Sequence, residues 1–272
     1  MTVAGVSGSG KSSLMIDEFT DRYPEAIVVN QKGIGISTRS TLATYMGIMD
    51  DIRSAFAKAT GQPAGLFSFN SLGACPVCKG KGYLQPEVAF ADPVTIKCER
   101  CGGTRYSKEA LSYTYHGKNV VELLDMTVED SMAYFSSERI LKRVRALNDV
   151  GLSYLTLGQS TSSLSGGELQ RLKLASELQH QGEIYLLDEP SRGLHPQDTQ
   201  HLLKLFNRLV DQGNTVIMIE HHLEFLANSD WVIELGPQGG KHGGHIVFEG
   251  TPHDMVNADT LTSKWVRKAL NG

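Results

Sequence analysis

The sequence predicts an α/β fold with a mostly parallel sheet, interrupted by an insertion of a different character. Three observations carry this reading. Short apolar runs alternate with helix-patterned segments, a glycine-rich loop joins the first such run to the first helix, and all four cysteines fall within residues 75–101.

Taken in order, residues 2–6 read as the end of a short strand, the residues after Gly10 as a helix, and 26–29 as a second short apolar run. Residues 119–135 and 138–150 read as helices, and 168–180 more strongly so. The run Ile184–Leu187 is a buried strand ended by Asp188 and Glu189. Pro196 opens a helix in which Leu202, Leu205, Phe206 and Leu209 recur at the spacing of one buried face, and Gly213 ends it. Residues 215–219 are another buried strand, and 232–235 and 245–249 form two more around a glycine-rich turn. No repeat of 20–50 residues stands out.

The 272 residues carry 26 basic and 30 acidic side chains, a net charge of −4. This average hides an asymmetry. Residues 74–118 hold seven basic and four acidic side chains, a net +3, whereas 119–272 hold 13 and 20. No stretch approaches the ~18 apolar residues of a membrane span, and the start lacks the basic-then-apolar order of a signal peptide, so a soluble, cytoplasmic protein with no membrane partner is expected.

Gly5-Val-Ser7-Gly8-Ser9-Gly10-Lys11-Ser12 fits the phosphate-loop pattern G-x-x-x-x-G-K-S/T between a strand end and a helix start. Glycines let successive backbone N–H groups turn toward phosphates, and the helix start, with Ser13 in its first turn, adds a positive dipole end. Lys11 supplies a point charge, and the Ser12 hydroxyl suits Mg²⁺. Asp188 at a strand end suits Mg²⁺ as well, and Glu189 could polarise an attacking water. His221 follows the strand 215–219 where an imidazole could reach a γ-phosphate. Ser165, Gly166, Gly167 and Glu168 open a helix and form a second anion-binding pattern; a plain helix cap would explain Ser165 but not two glycines.

Cys75-x₂-Cys78, nineteen intervening residues, then Cys98-x₂-Cys101 has the spacing of a closed, four-thiolate Zn²⁺ site. Lys79, Lys81, Arg100 and Arg105 lie around it with tyrosines at 83, 106, 113 and 115, a surface suited to phosphate contacts as well as to plain solvation.

Together, GVSGSGKSSL, LSGGELQRLKLA, YLLDEP and the IEH that follows resemble the ABC-type ATPases. With CPVCKGKG, CERCGGTRY, SRGLHPQD and LGPQGGKHGGHIVFEGTP, the chain resembles more narrowly the second ATPase half of the UvrA family, which recognises DNA damage in excision repair. The resemblance runs from Gly5 to about Met255. It implies a P-loop ABC-type core over 1–32 and 155–272, with an inserted helical signature region over 33–154 that contains a zinc module at about 70–118. It implies ATP hydrolysis to ADP and phosphate, with ATP, Mg²⁺ and Zn²⁺ as cofactors.

By the same resemblance, Gln31 couples the nucleotide site to the insertion, and Ser165–Glu168 is the signature motif that closes over ATP held by a second ATPase half. Glu189 is the catalytic carboxylate and His221 the switch histidine. The implied partners are that second half, damaged double-stranded DNA and other excision-repair subunits. SRGLH and IEHH depart from the common TTGLH and IEHN forms at positions that bear on partner contacts. The family also has a strand layer before the phosphate loop, so a fragment, a truncated gene or the tail of a paralogue is expected. The alternatives are a UvrA-like drug-resistance protein binding drug or drug–DNA adducts, a non-hydrolysing DNA-binding fragment, and a transporter ATPase, which the zinc module disfavours.

Overall fold

The computed structural model describes residues 1–30, 39–86, 94–178, 183–194 and 196–271. Its strands, in chain order, are β1 (Thr2–Gly5), β2 (Ile27–Val29), β3 (Tyr83–Leu84), β4 (Ile96–Lys97), β5 (Ile184–Asp188), β6 (Thr215–Ile219), β7 (Val232–Gly236) and β8 (His245–Gly250). The chain divides into two compact units. Met1–Ile34, Asp149–Gly151 and Leu164–Gly272 form one, and Gly35–Asn148 with Leu152–Ser163 form the other.

The first unit is an α/β layer structure around a six-stranded sheet of order β2-β5-β6-β1-β7-β8. Within this sheet every described pairing is parallel except β7 with β8. Continuous apolar strands are needed because both faces are covered. Val3 packs with Met15, Leu186, Ile217 and Leu235, while its neighbour Ala4 packs on the opposite face with Leu226, Val232, Met255 and Val266. Leu202, Leu205, Phe206 and Leu209 of helix Pro196–Asp211 are all buried, as their spacing requires. One element differs from expectation. After two α-helical residues, Ser13–Phe19 is a π-helix, and the hydroxyl of Thr20, just past its end, donates to the Ile16 carbonyl at 2.5 Å.

The second unit is helical. Its longest helix, Ile48–Thr60, starts after Gly47 and ends at Gly61, both left-handed, and buries Ile48, Met49, Ile52 and Phe56. Phe56 packs on Phe67 with ring centroids 4.7 Å apart. Arg143, from helix Glu138–Asp149, donates to Gly47 O at 2.9 Å and to Asp51 Oδ2 at 2.5 Å, tying the two helices together. The single helix expected over 119–135 is two, Val120–Leu124 and Val128–Tyr134. Asn119 and Thr127 each cap a helix start, so the backbone breaks between them where the apolar pattern alone reads as continuous.

Candidate functional site

Parallel strands bring the phosphate loop and the acidic strand end to one edge of the sheet. β6 lies between β5 and β1, so the C-terminal ends of all three adjoin: Asp188, Glu220 just after β6, and Gly5. That edge is where α/β sheets place ligands.

Gly5, Gly8 and Gly10 all have positive φ (135°, 73° and 95°), the conformations a phosphate loop needs and side chains resist. At Gly5 space is also exhausted, since a Cβ would lie 2.1 Å from Leu235 O. Ser7, Ser12 and Ser13 are exposed, whereas Ser9 is buried and its hydroxyl has no partner. Lys11 folds back, donating from Nζ to the Gly5 and Val6 carbonyls at 2.9 Å each. Burial lowers its pKa, and the nearby Glu189 and Asp188 oppose that shift.

Asp188 is half-buried, and its carboxyl is raised above the usual aspartate range, first by burial and then by the adjacent Glu189. Glu189 is one of four non-glycine residues with positive φ among the described residues, at 49°. This turn aims its carboxylate so that Oε1 lies 3.9 Å from His221 Nδ1 and Oε2 4.0 Å from Arg192 Nη1. His221 itself is exposed. It also borders an open cavity of about 470 Å³, lined by Ala4, Gly5 and Val6 on one side and Leu261 and Trp265 on the other.

Two further residues shape this edge; both lie within the motif stretches, Glu220 in IEH and Gln170 in LSGGELQRLKLA, but neither takes a role from the sequence alone. Glu220 is fully buried. Its Oε1 accepts from Ser191 N at 2.8 Å, and its Oε2 accepts from His221 N at 2.8 Å and His222 N at 3.1 Å. One carboxylate therefore clips the turn after Asp188–Glu189 to the turn carrying His221. Gln170 donates from Nε2 to Asp188 O at 2.6 Å and lies 3.4 Å from Val29 O. An acidic residue directly after an apolar buried strand is the available signal for Glu220.

Ser165 caps helix Gly166–Glu177 in a reciprocal box, its hydroxyl accepting from Glu168 N at 3.3 Å while Glu168 Oε2 accepts from Ser165 N at 2.7 Å. The two glycines differ in purpose. A Cβ at Gly167 would meet Arg192 O at 2.7 Å, so that glycine admits the chain after Glu189, while Gly166 faces open space. Gln31 lies outside the described residues.

In the helical unit, the four cysteine sulfurs lie within 4.8 Å of one another, with Cys78 Sγ 3.7 Å from Cys101 Sγ. Four thiolates ~2.3 Å from a tetrahedral zinc would stand about 3.8 Å apart, so the set fits such an ion. Each Cys-x₂-Cys pair is followed directly by a left-handed residue, Lys79 (φ 50°) or Gly102 (φ 58°). A Cβ at Gly80 would lie 1.8 Å from Phe69 O, which accounts for the glycine beside the first pair. Burial acts to raise the Cys75 thiol, but hydrogen bonds from the Cys78 and Val77 backbone and from neighbouring thiols outweigh it and bring it to about 7. Burial pushes Cys101 up to about 11.

Of the basic residues around this cluster, Lys79, Lys81 and Arg100 are exposed, whereas Arg105 is half-buried with its guanidinium 5.1 Å from the Phe69 ring centroid. Of the interleaved tyrosines one is buried, Tyr106, and Tyr83, Tyr113 and Tyr115 are half-buried. Tyr106 is buried with its hydroxyl near Phe67 O, Tyr113 packs edge-on against Phe67, and Tyr115 against Phe56. Tyr106 is thus withdrawn from the expected nucleic-acid surface into the core, while the other three rings keep part of their surface in solvent. No described helix is long and apolar enough to cross a membrane.

Comparison with known proteins agrees with this architecture. The ABC transporter family model matches residues 89–192. UvrABC system protein A of Staphylococcus aureus (strain COL) is 43% identical over 302 aligned residues, which cover 98% of this chain and 32% of that protein. The protein of the same name from Aquifex aeolicus (strain VF5) is 41% identical, with 98% and 33% covered. The crystal structure of UvrA2 from Deinococcus radiodurans superposes with a TM-score of 0.88 at 40% identity, covering 99% of this chain and 37% of that one. The chain spans about one third of the length of the curated relatives it matches. Over the length it spans, this chain belongs to the UvrA family of ABC-type ATPases.

Proposed function

We propose that this chain is the ATP-binding and ATP-hydrolysing module of a UvrA-type protein that recognises DNA damage in nucleotide excision repair. The observation that carries this reading is the meeting of Lys11, Asp188, Glu189 and His221 at one sheet edge.

In this reading the backbone of Gly5–Ser13 wraps the ATP phosphates, and Lys11 exchanges its two carbonyl partners for β and γ oxygens. Ser12 and Asp188 hold Mg²⁺, which when bound offsets phosphate charge. Glu189 takes the proton of the attacking water as the bond from the γ-phosphorus to the bridging oxygen breaks, releasing ADP and phosphate, and His221 contacts the γ-phosphate. Glu220 holds the turns that carry these two groups in register. Ser165–Glu168 caps ATP on a second ATPase half, so that sites are shared, and Gln31 couples the nucleotide to the insertion. Cys75, Cys78, Cys98 and Cys101 hold a structural Zn²⁺. Exposed Lys79, Lys81 and Arg100 face the phosphates of damaged duplex DNA, with Arg105 bracing that surface. Other excision-repair subunits act with it in the cytoplasm.

The test is ATP hydrolysis with and without damaged duplex, for this chain alone and mixed with a second ATPase half. Activity that appears in the mixture supports shared sites, and activity in neither removes the enzymatic reading. Glu189→Gln in the active mixture should keep ATP binding and slow turnover by ~10²-fold or more. Unchanged turnover would end the assignment of Glu189.

A further inference from the structure

A second glycine-rich loop lies backbone to backbone along the phosphate loop. Between β7 and β8, Gly240 N donates to Gly8 O at 3.0 Å and Gly244 N donates to Ser9 O at 3.0 Å. The glycines of this loop fall into two kinds. Gly240 and Gly244 have positive φ (63° and 82°) and nothing near a Cβ, so conformation explains them. Gly239 and Gly243 have ordinary φ values of −91° and −97°. Space explains these two instead. A Cβ at Gly239 would lie 2.6 Å from Ser7 O, and one at Gly243 would lie 2.7 Å from Gln238 O and 3.0 Å from Ser9 Cα.

The contact has a directional consequence. In a trans peptide the C=O and the following N–H point in opposite directions. Holding the Gly8 carbonyl toward the second loop turns Ser9 N inward, where it donates to Val6 O at 3.2 Å. Holding the Ser9 carbonyl outward likewise turns Gly10 N–H toward the concave side of the loop. The side chains of Lys241, His242 and His245 meanwhile stand in solvent, so the contact is made by backbone alone.

We propose that Gly239, Gly240, Gly243 and Gly244 are positioning residues for nucleotide binding: they fix two successive peptide planes of the phosphate loop, so that Ser9 N–H closes the turn on Val6 O and Gly10 N–H is set before a nucleoside triphosphate arrives. This rests on the reading of Gly5–Ser13 as the ATP phosphate site. Pre-set donors bind more tightly because less ordering remains for the ligand to impose.

The test measures binding of a fluorescent ATP analogue with Mg²⁺ to the full chain and to Lys11→Ala, Gly239→Ala, Gly243→Ala and Gly117→Ala. Gly117 also has positive φ, at 82°, and open space, but it lies in the helical unit and controls for glycine replacement as such. Gly239→Ala and Gly243→Ala should each weaken binding by about tenfold or more, as overpacking does, with Gly117→Ala unchanged. Should Lys11→Ala bind as tightly as the unaltered chain, the phosphate-site reading itself fails. Binding lost in Lys11→Ala but intact in both Gly239→Ala and Gly243→Ala overturns the positioning role alone.

Hydrogen exchange on the unaltered chain keeps the proposal testable if those variants do not fold. The nucleotide analogue should slow exchange at Gly240 and Gly244 together with the phosphate loop. Slowing confined to residues 5–13 would sink the idea.

Discussion

The cysteine cluster and the proposed phosphate site are assembled by opposite means. Local turns bring the four sulfurs together from within residues 75–101, each pair followed directly by left-handed Lys79 or Gly102, and the surrounding core is small enough to recruit Tyr106 and Phe69. The phosphate site draws instead on residues 5–13, 188–192, 220–222 and 239–244, joined only because parallel strands end at one edge. With the proposed zinc in place, the locally built site depends on that ion for its order. A site built by a sheet inherits its order from the core beneath it.

That contrast is broken most directly by removing the proposed zinc. Cys98→Ser, or chelation of the purified protein, should reduce bound zinc from one equivalent to near zero and abolish exchange protection around β3 and β4, since structural zinc contributes on the order of 10 kcal/mol to small modules. Both tryptophans, Trp231 and Trp265, belong to the sheet unit, so their fluorescence unfolding curve reports on that unit alone. That curve should not move. A matching shift in it would show that the sheet unit leans on the metal too.

Next in size is Glu220→Ala, which strands the buried Ser191 N–H and the part-buried His221 and His222 N–H groups. It should cost the sheet unit about 3 kcal/mol in urea, followed by tryptophan fluorescence. A change under about 0.5 kcal/mol would mean that the clip is not structural.

Acidification gives a smaller effect with a defined sign. Because burial and Glu189 raise the Asp188 pKa, its carboxylate is lost at a higher pH than an ordinary aspartate's, so Mg²⁺ affinity should fall, as pH drops, from above the usual carboxylate range. Without Mg²⁺ the same shift favours the folded state while Asp188 is protonated, and that contribution disappears as pH rises through the raised pKa. Calorimetric Mg²⁺ titrations across a pH series would show an ordinary aspartate midpoint if the shift is absent.

Smallest is Asn119→Ala, which removes a cap accepting from Val121 N and Glu122 N at 3.0 Å each and should cost about 1 kcal/mol within the helical unit. Exchange at those two amides measures it, and unaltered exchange would argue that Asn119 does not end the preceding segment.

Much of the sheet unit is legible in the sequence, because buried strands advertise themselves: Ile184–Leu187 and Thr215–Ile219 are unbroken apolar runs. Helix Ile48–Thr60 is harder to read although Ile48, Ile52 and Phe56 carry its period, because its neighbourhood offers no motif to anchor it. Helix Leu261–Asn271 escapes for a similar reason, lying beyond the last recognisable motif. The 119–135 segment reads as one helix because caps at Asn119 and Thr127 are local hydrogen bonds that the apolar pattern does not register.

The order of amino acids is enough to specify the fold class, the phosphate-loop pattern and the cysteine spacing, since each rests on periodicity or on residues close along the chain. Packing in three dimensions settles the rest: Glu220 joins two turns of the nucleotide edge, Gly167 is glycine for the sake of Arg192, and the glycines after β7 lie against the phosphate loop. Those contacts depend on which strand ends lie side by side. Strand order is set by how the whole core packs, and no short stretch of sequence encodes it.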